Sequence, residues 1–490
     1  MNIAPEKFGI SSRLFEKVLR ELDEKEVPIH SLLVARGDNI VFDAYWAPFT
    51  RDTRHRMNSV TKSFVALAIG CLIDEGKLSL DSRAVEFFPE AKDFKLNKHQ
   101  SELTIENMLT MRTGYRPIDN GHWVRDRKYN RIKTFFEREP VTARGDSFYY
   151  DSAGSYILGV IVERLTGKPF IEYLKEKFLI DIGFSADAAC IFGAEGYSWS
   201  DSGLLCTAED LYKTAKFLKN GGKHNGKSYI SEDFIKNAVK CQVNTPSVTE
   251  YKSHGYGYQI WKANYDGFMF LGMGAQIMIC IPSRDLYVVC TADTQMSEKY
   301  REIIVEKLYE IIDSDAESGR DVLPEDEAAF DSLMRYREGL KLTAYERTDI
   351  PKEYENRKTP VFTPDENPMG IKSFSLEFAD GSGIFKYENA QGQKEISFGF
   401  GYNVFSEFPE DGYFDMEIGK SVPGHRYPIA ASAKWQDART LIINVQFIGR
   451  HLGGDIITLT FDGESAVLNM HKSTNCFLDK YDGEAVGVFG

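Results

Sequence analysis

The 490-residue sequence has no CxxC pair, no HExxH and no other metal-ligand spacing. Its seven cysteines (71, 190, 206, 241, 280, 290 and 476) are odd in number and dispersed. Such a set predicts reduced core thiols in a cytoplasmic setting, not a disulfide frame or a zinc site. No metal and no cofactor are expected. An excess of positive charge is missing too: 59 Lys+Arg stand against 73 Asp+Glu, a formal net charge of −14. That balance argues against nucleic acid or an anionic membrane surface as the main partner. The opening stretch MNIAPEKFGISSRLF has neither a basic n-region nor an apolar h-region, so no secretory signal is read there. No apolar run reaches the roughly eighteen residues of a membrane span, and no repeat or low-complexity tract is visible. What is present is an ordered globular composition, 42% hydrophobic and 13% aromatic, with length for more than one domain.

The most apolar element is MNSVTKSFVALAIGCLIDEG, residues 57–76. Val60, Phe64, Val65, Leu67, Ile69 and Leu72 point to all sides of a helix, which predicts a buried central helix instead of an amphipathic surface one. Asn58 or Ser59 is expected to cap its start and Gly76 to sit just past its end. Ser59 and Lys62 stand three apart and share a helical face. Two readings fit: a capping Ser beside a snorkelling Lys, or a nucleophile beside its base. A serine hydroxyl needs a base to become reactive, and a lysine serves only when desolvation or a neighbouring cation lowers its pKa.

Around this helix the pattern is mixed. Residues 12–25 repeat Leu14, Val18 and Leu22 at helical spacing. HSLLVARGDNIVFDAYW reads as a hairpin with a Gly-Asp-Asn turn. Helices are predicted over LTIENMLTMRTGY (Thr104 capping, Gly114 ending it), 152–166, 169–179, 207–220 and 297–313. Residues 115–147, with Trp123 and Tyr129, read as a long functional loop. GYGYQIW, GFMFLGMGAQIMICIP and LYVVCTA form a three-stranded antiparallel meander. The N-terminal hairpin and this meander are expected to build one antiparallel sheet covered by helices. From Ser314 to about Asn356 the composition turns charged, a linker with one helix at 324–339. Beyond Pro360 come short strands and glycine turns (IKSFSLEF, GIFKYEN, EISFGFG, TLIINVQFIG, DIITLTFDG, SAVLNMH), which predict a separate all-β barrel or sandwich. The expected division is a catalytic domain at 1–315, a linker at 316–350 and a β domain at 351–490.

Two further places could carry chemistry. Tyr150-Asp151-Ser152 heads the 152–166 helix; a phenol beside an ammonium group shifts toward phenolate and can relay protons. Aromatic packing among Phe148, Tyr149, Tyr150 and Tyr156 explains the same residues. Leu271-Gly272-Met273-Gly274-Ala275-Gln276 places glycines inside an apolar strand, which marks either a bulge or close approach by a ligand or another backbone. Such an edge presents a backbone N–H to an oxyanion, opposite the N–H of Ser59.

Taken in order, these pieces resemble the class C β-lactamase and penicillin-binding-protein-related serine hydrolases. Ser59-Val60-Thr61-Lys62 matches Ser-x-x-Lys. LTIENMLTMRTGY, FYYDSAGSYILG, SGLLCTAEDLYKTAKFLKNGGKHNGKSYIS and FMFLGMGAQIMICIP resemble the family's following segments, over about residues 5–315. The resemblance implies a β-lactamase/transpeptidase-like α+β fold, an antiparallel sheet flanked by helices with an all-helical subdomain. It also implies acyl transfer through Ser59, with Lys62 and Tyr150 moving protons and Met273, Gly274 and Ala275 near the oxyanion. Ser152, Gly272 and Gln276 would support them, Ser152 standing where many relatives carry Asn. At the third motif no Lys-Thr-Gly is present. Gly272-Met273-Gly274 offers no cation for a penicillin or D-Ala carboxylate, and the form looks more like the esterase and amino-acid-oligomer amidase branches. A cation from elsewhere would have to come from Arg116, Arg125, Arg127, Arg131 or His254. The reading is therefore a serine hydrolase of a small ester or amide. A D-amino-acid peptidase, a true β-lactamase, and a sensor that acylates without turnover stand as its rivals.

Overall fold

A computed structural model describes residues 4–118, 129–245, 253–318, 322–474 and 477–489. Ile29–Arg36 and Asn39–Tyr45 form the N-terminal hairpin, turned at Gly37 with φ +57°. Ile29–Arg36 pairs antiparallel with Leu286–Ala292, so that Leu32 faces Cys290 and Val34 faces Val288. The two ends of the catalytic region thus make one six-stranded sheet, in the order 39–45, 29–36, 286–292, 276–281, 268–272, 261–262.

Helices cover the sheet. On one side lie Ser12–Glu24, Glu298–Ser318 and Glu327–Glu338; the last packs on the first through Leu333 and a Tyr336 hydroxyl donating to Asp23 at 2.6 Å. Opposite lie Thr61–Asp74 and Ala208–Lys219, backed by Ser152–Thr166. Twelve residues of Thr61–Asp74, from Thr61 to Leu72, are buried. This is the all-round burial that its apolar composition predicts.

Capping differs from the sequence expectation at the site's helix and agrees with it at Thr104 and Thr207. Thr104, Thr207 and Asp151 each cap a helix by accepting a backbone N–H. At the start of Thr61–Asp74 no side chain caps. A 3₁₀ turn, Asn58–Val60, precedes the helix, and the Asn58 side chain is drawn away to Met273. The helix from Thr104 is short, Ile105–Leu109.

The meander holds four strands, not three. Trp261–Lys262, Phe268–Gly272 and Gln276–Ile281 precede Leu286–Ala292, and residues 273–275 form a tight turn where one long strand was expected. Gly274 (φ +79°) and Ala275 (φ +68°) sit in the left-handed region that reverses the chain.

The C-terminal strands run from Thr363–Pro364 and Ser373–Ala379 to Gly483–Val488. Residues 357–363 bond on one side to Ser373–Ala379, through Thr359 N–H to Leu376 O and the Phe362–Phe374 pair. On the other side Thr363 pairs with Val488, which closes the sheet into a barrel. Its strands alternate buried and half-buried positions, as a one-sided core requires. The barrel touches the first region directly: Phe192 donates to Met416 O (2.7 Å) and accepts from Ile418 N–H (2.9 Å). A cavity of about 220 Å³ lies between the two, lined by Pro28, His30, Asp293, Met296, Gly453 and Gly454 among others. Among the described residues, no helix is long and apolar enough to cross a membrane.

Candidate active site

Ser59 stands in the 3₁₀ turn that leads into the buried helix, and is itself partly exposed. Asn58 before it has φ +47°, a backbone value that costs about 1 kcal/mol or more for a residue with a Cβ. One near and one distant contact hold it there. Thr61 Oγ1 donates to Asn58 O at 2.6 Å, and Asn58 Nδ2 donates to Met273 O at 2.8 Å. The amides of this first turn lack intrahelical acceptors and favour negative charge beside them.

Lys62, 1% exposed, extends from the next turn of the same face. Its Nζ donates to Ser59 Oγ at 2.9 Å and to Asp201 O at 2.7 Å. Among the described residues no carboxylate pairs with it. Of its two hydrogen-bond partners, only the serine hydroxyl carries a proton to exchange.

Tyr150 reaches the pair from the head of Ser152–Thr166. The Lys62 Nζ lies 5.2 Å from its ring centroid, and the ring stacks on Trp261 at 5.5 Å and meets Tyr256 edge-on at 6.3 Å. The aromatic packing read from the sequence is present, and it places the ring beside Lys62. Its backbone is pinned on each side, by Tyr149 N–H to Met111 O (2.9 Å) and by the buried Asp151–Arg138 ion pair (2.5 Å). Ser152 begins the helix and is half-buried.

The third element comes from the other end of the sheet. A Cβ on Gly272 would lie 2.3 Å from Met57 O, so the close approach forecast there is made by another backbone, and only glycine allows it. The turn that follows is clasped by Gln276, whose Nε2 donates to Met273 O (3.2 Å) and Ala292 O (2.7 Å), and by Thr294 N–H donating to Gly274 O (3.3 Å). Met273 itself is 41% exposed. Ser59, Lys62, Tyr150 and the 272–276 segment are thus gathered in one place, joined by the Asn58–Met273 bond.

Of the cations suggested from sequence, Arg131 is engaged with other groups and two lie outside the described residues. Arg131 is 1% exposed and holds Glu195 (3.1 Å) and the Tyr156 hydroxyl (2.9 Å). Arg116 and His254 are exposed. Arg125 and Arg127, like Trp123, fall outside the described residues. A cation not suggested from sequence is Arg56, which is buried, lies 4.1 Å over the Trp199 ring and donates to Ser202 O at 3.3 Å, one residue beyond the carbonyl that binds Lys62. No motif flags it. Asn58 and the Asp201 carbonyl were missed for the same reason.

Comparisons with known proteins bear on the chain's family and fold. The family described as Beta-lactamase matches residues 15–305. A 6-aminohexanoate-dimer hydrolase of Paenarthrobacter ureafaciens is 26% identical over 240 residues, 45% of this chain and 60% of that protein. Esterase EstB of Burkholderia gladioli is 29% identical over 152 residues, 28% of this chain and 39% of the other. The chain thus spans less than two thirds of the length of these curated relatives. Among solved structures, a putative 6-aminohexanoate-dimer hydrolase from Bacillus anthracis covers 63% of this chain and 83% of its own, with a TM-score of 0.53 at 20% identity, a likeness of fold.

Proposed function

The chain belongs to the beta-lactamase family, and we propose that it hydrolyses a small ester or amide through an acyl-enzyme on Ser59. One observation carries the reading: a buried lysine bonded at 2.9 Å to a partly exposed serine at the mouth of a buried helix. In this mechanism Lys62, as the free amine, takes the Ser59 proton while Oγ bonds to the substrate carbonyl carbon. The carbonyl oxygen becomes an oxyanion facing the Ser59 N–H and an N–H of the 273–275 turn. A donor so placed is typically worth about 10²–10³ in kcat. The proton then passes to the leaving alcohol or amine, with Tyr150 as the relay, and the C–O or C–N bond breaks. Water repeats the sequence on the acyl-enzyme, and the proton it loses restores Ser59.

Similarity to a 6-aminohexanoate-dimer hydrolase and an esterase supports ester or amide cleavage. The absence of a cation in Gly272-Met273-Gly274 supports the esterase and amidase branch over class C β-lactamase action on penicillins. A cytoplasmic setting belongs to the same reading; the six described cysteines are free and five are buried. So does the division into a hydrolase domain at 1–315, a linker at 316–350 and a β domain at 351–490, supported by the separateness of the six-stranded and ten-stranded sheets.

Intact-mass measurement during turnover of p-nitrophenyl butyrate tests it. A transient acyl adduct on Ser59, absent in Ser59→Ala together with turnover, is the expected result. An adduct that persists would make the protein an acylated sensor, and turnover surviving in Ser59→Ala would remove Ser59 from the mechanism.

A further inference from the structure

The cavity of about 220 Å³ between the first region and the barrel carries charge of one sign in its wall. Glu26 and Asp293 bring two carboxylates, and among the described residues no lysine or arginine lines it. His30, also in the wall, is held neutral by burial, and its Nδ1 lies 2.7 Å from His55 Nε2. Lys434 Nζ lies 4.2 Å over the ring of the wall residue Tyr345, outside the lining itself. Among the described residues no cation pairs with either carboxylate. Asp293 is held by Gln295, whose N–H and Nε2 donate to its Oδ1 at 3.3 and 2.9 Å. The Glu26 carboxylate, the Tyr300 and Tyr345 hydroxyls and the Asn444 amide, all half-buried in this wall, have no hydrogen-bond partner among the described residues. Carboxylates taken out of water are ordinarily paired. Positive charge and N–H donors are what this cavity lacks.

We propose that this cavity is a binding site for a small primary amine in its ammonium form, its head on Glu26 and Asp293 and its alkyl chain against Met296, Phe447 and Ile448. An ammonium head supplies three N–H donors and the charge that the two carboxylates want. An anion would have to be buried against both carboxylates with no cation in the wall. The size fits as well. A cavity of ~150 Å³ takes benzene, so one of about 220 Å³ holds an alkylamine of roughly seven to nine non-hydrogen atoms. A wider surface groove of about 730 Å³ shares Glu26 and Thr343 with the cavity. Its remaining charged groups are Asp23, Glu24 and Glu346 against Lys341, an acidic approach that draws cations toward the shared residues. Ser59, Lys62, Tyr150 and the 272–276 turn are no part of this wall, so the inference stands apart from the acyl-transfer reading.

Calorimetric titration of the full chain with n-hexylammonium chloride tests it, beside 1-hexanol and sodium hexanoate, which keep the chain length and change the charge. The ammonium ion is expected to bind saturably at one site per chain, at least tenfold tighter than either. Glu26→Gln and Asp293→Asn should each weaken it tenfold or more, because each removes one of the two charges facing the head. Glu26→Lys, which puts an ammonium into the wall, should abolish it. Absence of saturable binding would make the cavity a water-filled void. Equal or tighter binding of the alcohol or of hexanoate would deny a cation site, and an affinity unmoved in a folded Glu26→Gln chain would put the amine elsewhere. Each of these results overturns the proposal, and half-buried Glu26 decides even where Asp293→Asn does not fold.

Discussion

Strands Gln276–Ile281 and Leu286–Ala292 are buried at every residue, whereas Thr440–Ile448 in the barrel alternates half-buried and buried along its length. The first pair lies in a sheet with helices on both faces; the second has water on one. The candidate site lies where elements of the covered sheet region end: the mouth of Thr61–Asp74 and the turn at 273–275. The barrel buries ionisable groups inside its wall, where they affect stability instead.

The largest expected effect separates the two regions most sharply. Lys62→Met should lower ester turnover roughly 10⁴-fold or more, as loss of a catalytic base does, while the melting temperature stays within a few degrees. Unchanged turnover of p-nitrophenyl acetate would take Lys62 out of the mechanism.

Asp455 provides the opposite case. Burial, with Asp482 adding to it, pushes this carboxyl up to about 8. Between the unfolded value near 3.9 and about 8 the folded state holds a proton that the unfolded state has lost, so stability falls as pH rises across that window. Asp455→Asn should therefore gain stability over wild type on going from pH 5 to pH 8.5, by on the order of a few kcal/mol, with kcat within twofold. Denaturant midpoints at the two pH values check it, and a pH-independent difference would show that Asp455 titrates normally.

A smaller shift, of opposite sign, is expected beside the sheet. His30 Nδ1 and His55 Nε2 lie 2.7 Å apart and buried, and burial lowers His55 to about 4. The unfolded chain binds the proton first, so stability is lost as pH falls from about 6.5 to 4, by up to roughly 3 kcal/mol. His55→Gln should flatten that acid limb in a thermal-shift series from pH 7 to 4. An unchanged slope would assign the acid loss to carboxylates.

The smallest concerns substrate. Esters should exceed nitrocefin at least tenfold in kcat/KM, about 1.4 kcal/mol of transition-state binding. Efficient nitrocefin hydrolysis would mean that a cation fills the gap left at Gly272-Met273-Gly274, and Arg56→Gln would show whether it is Arg56.

What the sequence disclosed follows the range of the contacts involved. Ser59 and Lys62 share one helical face, Thr207 and Asp210 close one capping box, and the barrel strands show their alternation within eight or nine residues; all are local and legible. Asn58 with Met273 and Phe192 with Met416 join positions more than a hundred residues apart, and no spacing announces them. The turn at 273–275 misled for another reason. Apolar residues on both of its sides, buried on both faces, gave no alternation to break, so two strands read as one.

The pairing of Leu32 with Cys290 has a further consequence, for the time it takes to make this chain. Ile29–Arg36 leaves the ribosome about 250 residues before its partner, an interval of roughly 10–50 s at ordinary elongation rates. Throughout it the hairpin offers a bare, apolar edge to any other strand nearby. Residues 46–285 must emerge before the central sheet can be completed.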